Sequence, residues 1–117
     1  MVNKIEFKEG RIGMTISVLF FKENDVWIAY CPSLDLSGYD TTEEKAGEDL
    51  LYVVKDYLTT QIKNGTLKID LHGHGWIEHN NHISEPRFCD MIRRKEASKI
   101  TQLADFRKTN MNVMVSC

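Results

Sequence analysis

The four histidines of the chain, His72, His74, His79 and His82, fall in one short stretch, with Cys89 a few residues beyond. Imidazoles gathered this way can ligate zinc or nickel, and a thiolate can complete the set. The spacing fits no structural zinc pattern, however, and no acid is placed as an obvious general base. A polar surface loop explains the same residues. No metal and no cofactor is therefore expected, and a metal site on His72, His74, His79 and His82 is the alternative.

Cys31 ends an apolar run and reads as a small buried hydrophobe, because no base stands near it to make a nucleophile. Together with Cys89 and Cys117 it makes an odd number of cysteines at wide spacing. That pattern outlines neither a disulfide framework nor a zinc ribbon, so a reducing cytoplasm is the expected compartment. Arg93, Arg94, Lys95, Lys99, Arg107 and Lys108 make the last third the most basic part of the chain. They can touch phosphate, though a solvated helix face accounts for them more simply. With a net charge of −2, the whole surface carries no nucleic-acid footprint. Trp27, Tyr30 and Tyr39 can anchor a partner, as aromatic residues often do at interfaces, or fill the core.

The elements that must position these residues are legible in the hydrophobic pattern. Ile12, Met14, Ile16 and Val18 alternate with Gly13, Thr15 and Ser17, the period of a half-buried strand that runs on to Phe21. Glu23-Asn24-Asp25 supplies a turn, and Val26 to Cys31 is the returning strand, stopped by Pro32. A short third strand lies within Leu34 to Tyr39, with Gly38 at a bulge or a close approach. These three strands form an antiparallel meander.

Thr41 and Glu44 have capping-box spacing, with Thr42 as the alternative cap. Ala46, Leu50, Val53, Val54, Tyr57, Leu58 and Ile62 then make an apolar helical stripe that ends at Asn64-Gly65. About 22 residues at 1.5 Å each give roughly 33 Å, enough to cover the sheet. Gly47 interrupts this helix and points to close contact with another backbone. Further on, Thr66 to Leu71 reads as one helical turn or two, and Trp76-Ile77 as a strand rejoining the sheet. Asn80 to Glu85 reads as loop, and Pro86 opens a short helix carrying Phe88, Met91 and Ile92. A second short helix spans Ser98 to Phe106, using Ile100, Leu103, Ala104 and Phe106, and Asn112 to Ser116 is an edge strand. The fold class is α+β in a single domain over 1–117, with its core at about 12–78 and an extension over 79–117. The start, Met1 to Lys8, lacks the apolar centre of a signal peptide.

The run Val26-Trp-Ile-Ala-Tyr-Cys-Pro-Ser-Leu-Asp-Leu-Ser-Gly-Tyr39, then Thr42-Glu-Glu-Lys-Ala46, Thr66-Leu-Lys-Ile-Asp-Leu71 and Gly75-Trp76, resembles the HicB-like antitoxin family. The resemblance covers residues 18 to 76 and rests on the order and spacing of the pieces. It departs from the family at Asp40, where Gly is common, and at His72 to His74. What it implies is a partial RNase H-like fold and a non-enzymatic protein that neutralises a small HicA-like RNA-cleaving toxin by direct contact, together with a homo-oligomer.

Nucleases of the RNase H type hold two metal ions on carboxylates of the first strand and a facing helix. Ile12 to Phe21 contains no acid, Asp25 and Asp35 fall in turns, and Glu43 to Asp49 suit a solvated helix start. No catalytic residue is therefore expected. Trp27, Tyr30, Tyr39, Glu43 and Glu44 are the candidate contacts for the toxin. The residues after Trp76 show neither a ribbon-helix-helix nor a helix-turn-helix pattern, so DNA binding has no sequence carrier. The competing function is a stand-alone small-ligand or metal-binding domain built on His72 to His82.

Overall fold

In the computed structural model, which describes residues 3–80, 82–102 and 105–116, the alternation beginning at Ile12 becomes a 13-residue strand, Arg11–Glu23 (β2). Lys4–Lys8 (β1) precedes it across a turn at Gly10. Val26–Cys31 (β3) returns along it after Asn24 and Asp25, both with positive φ, as a tight turn between twisted strands requires. Leu36–Asp40 (β4) completes the meander read from the sequence. Its residues pair with β3 without a bulge.

Glu43–Asn64 (α1) follows, with Thr42 as the N-cap accepting from the Lys45 N–H at 3.2 Å. It ends at Gly65, whose φ of 69° a residue with a side chain resists. Leu67–Gly73 (α2) places Leu67 and Leu71 in the core. Then come Ile77–His79 (β5), His82–Ser84 (β6), Phe88–Met91 (α3), Lys95–Thr101 (α4) and Phe106–Ser116 (β7). Among the described residues the fold is therefore α+β, with seven strands in an antiparallel sheet and four helices.

The expectations for the last third need correction. Asn80 to Glu85 contains β6, which pairs with β1, so this segment is part of the sheet and not a loop. The second short helix begins earlier, at Lys95, and Phe106 belongs to β7; Leu103 and Ala104 lie outside the described residues. The edge strand expected over Asn112 to Ser116 is 11 residues long and pairs with β2 from Arg11 to Phe21. Residues beyond 78 thus complete the main sheet instead of extending a finished core.

The registers define how β2 is flanked. β7 runs along one edge of β2, opposite residues 11–21. On the other edge β1 pairs with residues 11–14 and β3 with residues 19–23, leaving Thr15 to Val18 in a gap between two strand ends. A main-chain N–H in such a gap needs another acceptor. The Glu85 carboxylate supplies it, accepting from the Ser17 N–H at 3.0 Å.

One face of the sheet carries Ile5, Ile12, Met14, Ile16, Val18, Phe20, Ala29 and Cys31, packed under Ala46, Leu50, Val54 and Leu58 of α1. Gly38 is where α1 comes closest. A Cβ there would run into the Leu50 amide nitrogen and stand 2.7 Å from the Ala46 carbonyl oxygen. Gly47 instead faces a side chain: its Cβ position is 3.2 Å from the Phe20 ring, which corrects the expected backbone contact. The opposite face is covered over only part of its length, where Ala97 and Ile100 of α4 pack on Leu19, Phe21 and Tyr30.

Candidate functional site

Where α3 and α4 stop, that second sheet face stays open. Lys4, Glu6 and Lys8 of β1, Arg11 and Thr15 of β2, His79 and His82 of the β5–β6 hairpin and Asn112 and Met114 of β7 line a groove of about 1290 Å³. Period 2 explains the composition: the residues alternate with the apolar ones that face α1. Lys4 and Lys8 both pair with Glu6, at 3.1 and 3.8 Å, and these cations hold the Glu6 carboxyl below the usual range. Thr15 donates to Asn112 across the β2–β7 pair at 2.9 Å. Arg87 and Asp90, paired at 3.2 Å, also line the groove, and the Asp90 carboxylate keeps the Arg87 guanidinium protonated to a higher pH than usual.

At the head of the groove lies a polar cluster that the sequence does not announce. Glu85 is 7% exposed, yet its carboxylate accepts four hydrogen bonds. Ser17 Oγ donates to Oε1 at 2.8 Å and Asn3 Nδ2 at 3.0 Å, while Ser33 Oγ donates to Oε2 at 2.5 Å beside the Ser17 N–H. The Glu85 N–H in turn donates to the Asn3 carbonyl at 2.8 Å. These bonds tie the end of β6 to the N-terminal segment, the middle of β2 and the β3–β4 loop. Both carboxylate oxygens are occupied by protein donors, as a structural carboxylate in a strand gap should be. Glu85 standing before Pro86 reads in sequence as a solvated loop residue, so no local signal reveals it.

The four histidines divide into two pairs, His72 and His74 at α2 and His79 and His82 on the β5–β6 hairpin. His74 caps α2 and its Nε2 lies 3.4 Å from Asp70, which also accepts from the Tyr57 hydroxyl. His79 and His82 face each other across the hairpin, ring centres 5.6 Å apart, on the groove wall. His72 is exposed on α2, and Cys89 is exposed on α3. No group of three or more metal-ligating side chains occurs among the described residues.

The five proposed contact residues do not share one surface. Trp27 is half-buried against the core under α1, whereas Tyr30, on the opposite face, is buried and donates to Asp35 at 2.7 Å. Tyr30 is therefore a core residue and not an exposed anchor. Tyr39 is 56% exposed, Glu43 is ion-paired with Arg107, and Glu44 is open to solvent. Of the basic residues, Arg93, Lys95 and Lys99 are exposed, whereas Arg94, Arg107 and Lys108 are engaged within the fold. Arg94 donates to the carbonyls of Pro32 and His74, Arg107 lies over Phe20, and Lys108 lies over Phe88. No family model, no curated protein and no solved structure matches the chain.

Three acids in this fold keep their protons unusually long. Burial is the main cause for each, and it pushes the Cys31 thiol up to about 12. The Tyr30 and Tyr57 hydroxyls are raised by burial and by donating to Asp35 and Asp70. All three are neutral when protonated, so the unfolded chain releases these protons first as pH rises. For Cys31 the window runs from roughly 8.5, the ordinary thiol value, to about 12; there the unfolded state binds fewer protons and stability falls. The urea midpoint is expected to be lower at pH 10.5 than at pH 8. In the same experiment iodoacetamide should label exposed Cys89 in the native protein, but Cys31 only after unfolding. Equal labelling of the two would contradict the burial of Cys31.

Proposed function

We propose that this chain is an antitoxin-type binding protein that neutralises a small, basic, HicA-like RNA-cleaving toxin by direct contact, without catalysis of its own. The partial RNase H-like reading of residues 18 to 76 belongs to the same proposal. It is supported by the resemblance carried by Val26 to Tyr39, Thr42 to Ala46 and Thr66 to Trp76. The absence of acids from Ile12 to Phe21 of β2 and the fully occupied Glu85 carboxylate agree with a scaffold that binds rather than cuts.

The observation that carries the proposal is the outward face of α1. Glu44, Glu48, Tyr52 and Asp56 follow one another at four-residue spacing, all exposed, with Tyr52 72% open to solvent. A large aromatic residue flanked by carboxylates matches a basic, RNA-binding surface in both charge and hot-spot chemistry. Contacts on this face would be held rigid by a capped helix packed along its whole length.

The test is co-expression of tagged chain with the small basic protein encoded beside its gene. Retention of that protein on the tag and relief of its growth arrest are expected. Tyr52→Ala combined with Glu48→Lys should lower retention at least tenfold while leaving the circular dichroism unchanged. A wild-type chain that neither retains its neighbour nor relieves the arrest would end the proposal.

A further inference from the structure

The outer edge of β7 presents a row of main-chain groups with no partner among the described residues. The Ser17 N–H points away from β7 to Glu85, so the even-numbered residues of β2 direct their main-chain groups to β7. The odd-numbered residues of β7 answer them, as in Ile16↔Met111 and Met14↔Val113. Phe106, Lys108, Asn110, Asn112, Met114 and Ser116 therefore turn their N–H and C=O groups outward. Among the described residues no main-chain hydrogen bond outside the β2 ladder reaches this strand.

Natural sheets blunt such an edge with charge, proline, a bulge or a cover. β7 has none of these over most of its length. Thr109 to Ser116 contains no charged residue and no proline, and the pairing with β2 is continuous over eleven residues. The opposite end of the sheet is treated differently, since the Tyr39 N–H of β4 is capped by Asp49 Oδ2 at 2.9 Å. The third free edge, β5, is only three residues long.

We infer that β7 pairs antiparallel with β7 of a second copy, making a twofold dimer with one continuous sheet. The outward groups limit the register to even residues facing even residues. The register centred on Met111 engages all of Phe106–Ser116 in both copies. It sets Asn110 opposite Asn112, Lys108 opposite Met114, Arg107 opposite Val115 and Thr109 opposite Val113. The cations at one end of the strand thus meet uncharged side chains, and no like charges face each other. A second copy is the occupant because self-pairing in this register uses every outward main-chain group of both strands and brings no like charges together. Roughly a dozen N–H···O bonds would form across the axis. The dimer uses a different surface from the toxin-facing side of α1, so either can fail without the other.

Light scattering on the full chain is expected to give twice the monomer mass. Asn112→Pro removes an outward N–H without touching the β2 ladder, so it should give a folded monomer. Met114→Lys, which places a lysine opposite Lys108 of the partner copy, should weaken the dimer while keeping the fold. Met111→Cys, with Cys89 and Cys117 changed to serine, should oxidise to a disulfide-linked dimer, because Cα atoms about 4.5 Å apart in a non-hydrogen-bonded pair allow the bond. A wild-type monomer at about 100 μM, far above a typical micromolar dissociation constant, would overturn the inference. So would a dimer that persists unchanged in folded Asn112→Pro and Met114→Lys.

Discussion

Gly38→Ala is expected to cost about 3 kcal/mol or more, at the upper end of what overpacking does, and to leave the chain poorly folded. The new methyl would overlap the Leu50 amide nitrogen and stand 2.7 Å from the Ala46 carbonyl oxygen and 2.8 Å from the Leu50 Cα. All three are backbone atoms of α1, so no side chain can turn aside. Relief requires lifting α1 from β4, and Ala46, Leu50, Val54 and Leu58 would then lose part of their burial together. Chemical denaturation gives the measurement. Gly47→Ala is the control: its methyl meets only the Phe20 ring, at 3.2 Å, and gains about 1 kcal/mol of helix propensity. A Gly38→Ala protein as stable as wild type would mean that helix and sheet are not in this contact.

Glu85→Ala is the second large effect, expected at about 3 kcal/mol or more because each buried donor left without an acceptor costs about 1–3 kcal/mol. The Ser17 N–H is the critical donor, since it is fixed by the strand and faces the gap between β1 and β3. Glu85→Gln should cost less than half as much. The amide oxygen can take the Oε2 position, where the Ser17 N–H and Ser33 Oγ donate. The amide nitrogen then faces Ser17 Oγ and Asn3, which can turn to accept. Equal losses for alanine and glutamine in urea titrations would argue that shape rather than hydrogen bonding holds the gap closed. The alanine protein should also show faster hydrogen exchange at Ser17, where the acceptor is lost.

The stretch from Ile12 to Gly65 was legible because its signals are local. Period-2 alternation, an Asn-Asp turn, a threonine cap and a terminal glycine each act within a few residues, and all point to one arrangement. Gly38 was legible as a bulge or a close approach, the two usual reasons for glycine in a strand, and the packing of α1 decides for the second. The cap moved by one residue, from Thr41 to Thr42, because two adjacent threonines carry the same chemistry.

Beyond Gly65 the elements are short, and their stability comes from partners far away in sequence. Ile83 of β6 is buried because it meets Ile5, and β7 is a long strand because β2 lies beside it. Glu85 is a core residue only because β1 and β3 leave a gap that Ser17 and Ser33 help it fill. The histidines, adjacent along the chain, were divided between α2 and the β5–β6 hairpin.

The sequence by itself determined the meander, the long helix and its two ends, and the α+β class, since each depends on residues close together in the chain. Only the tertiary structure decided that β1, β6 and β7 complete the sheet, that a buried carboxylate closes its gap, and which edge is left open. Those outcomes depend on which strand ends meet across tens of residues, and no local periodicity encodes that.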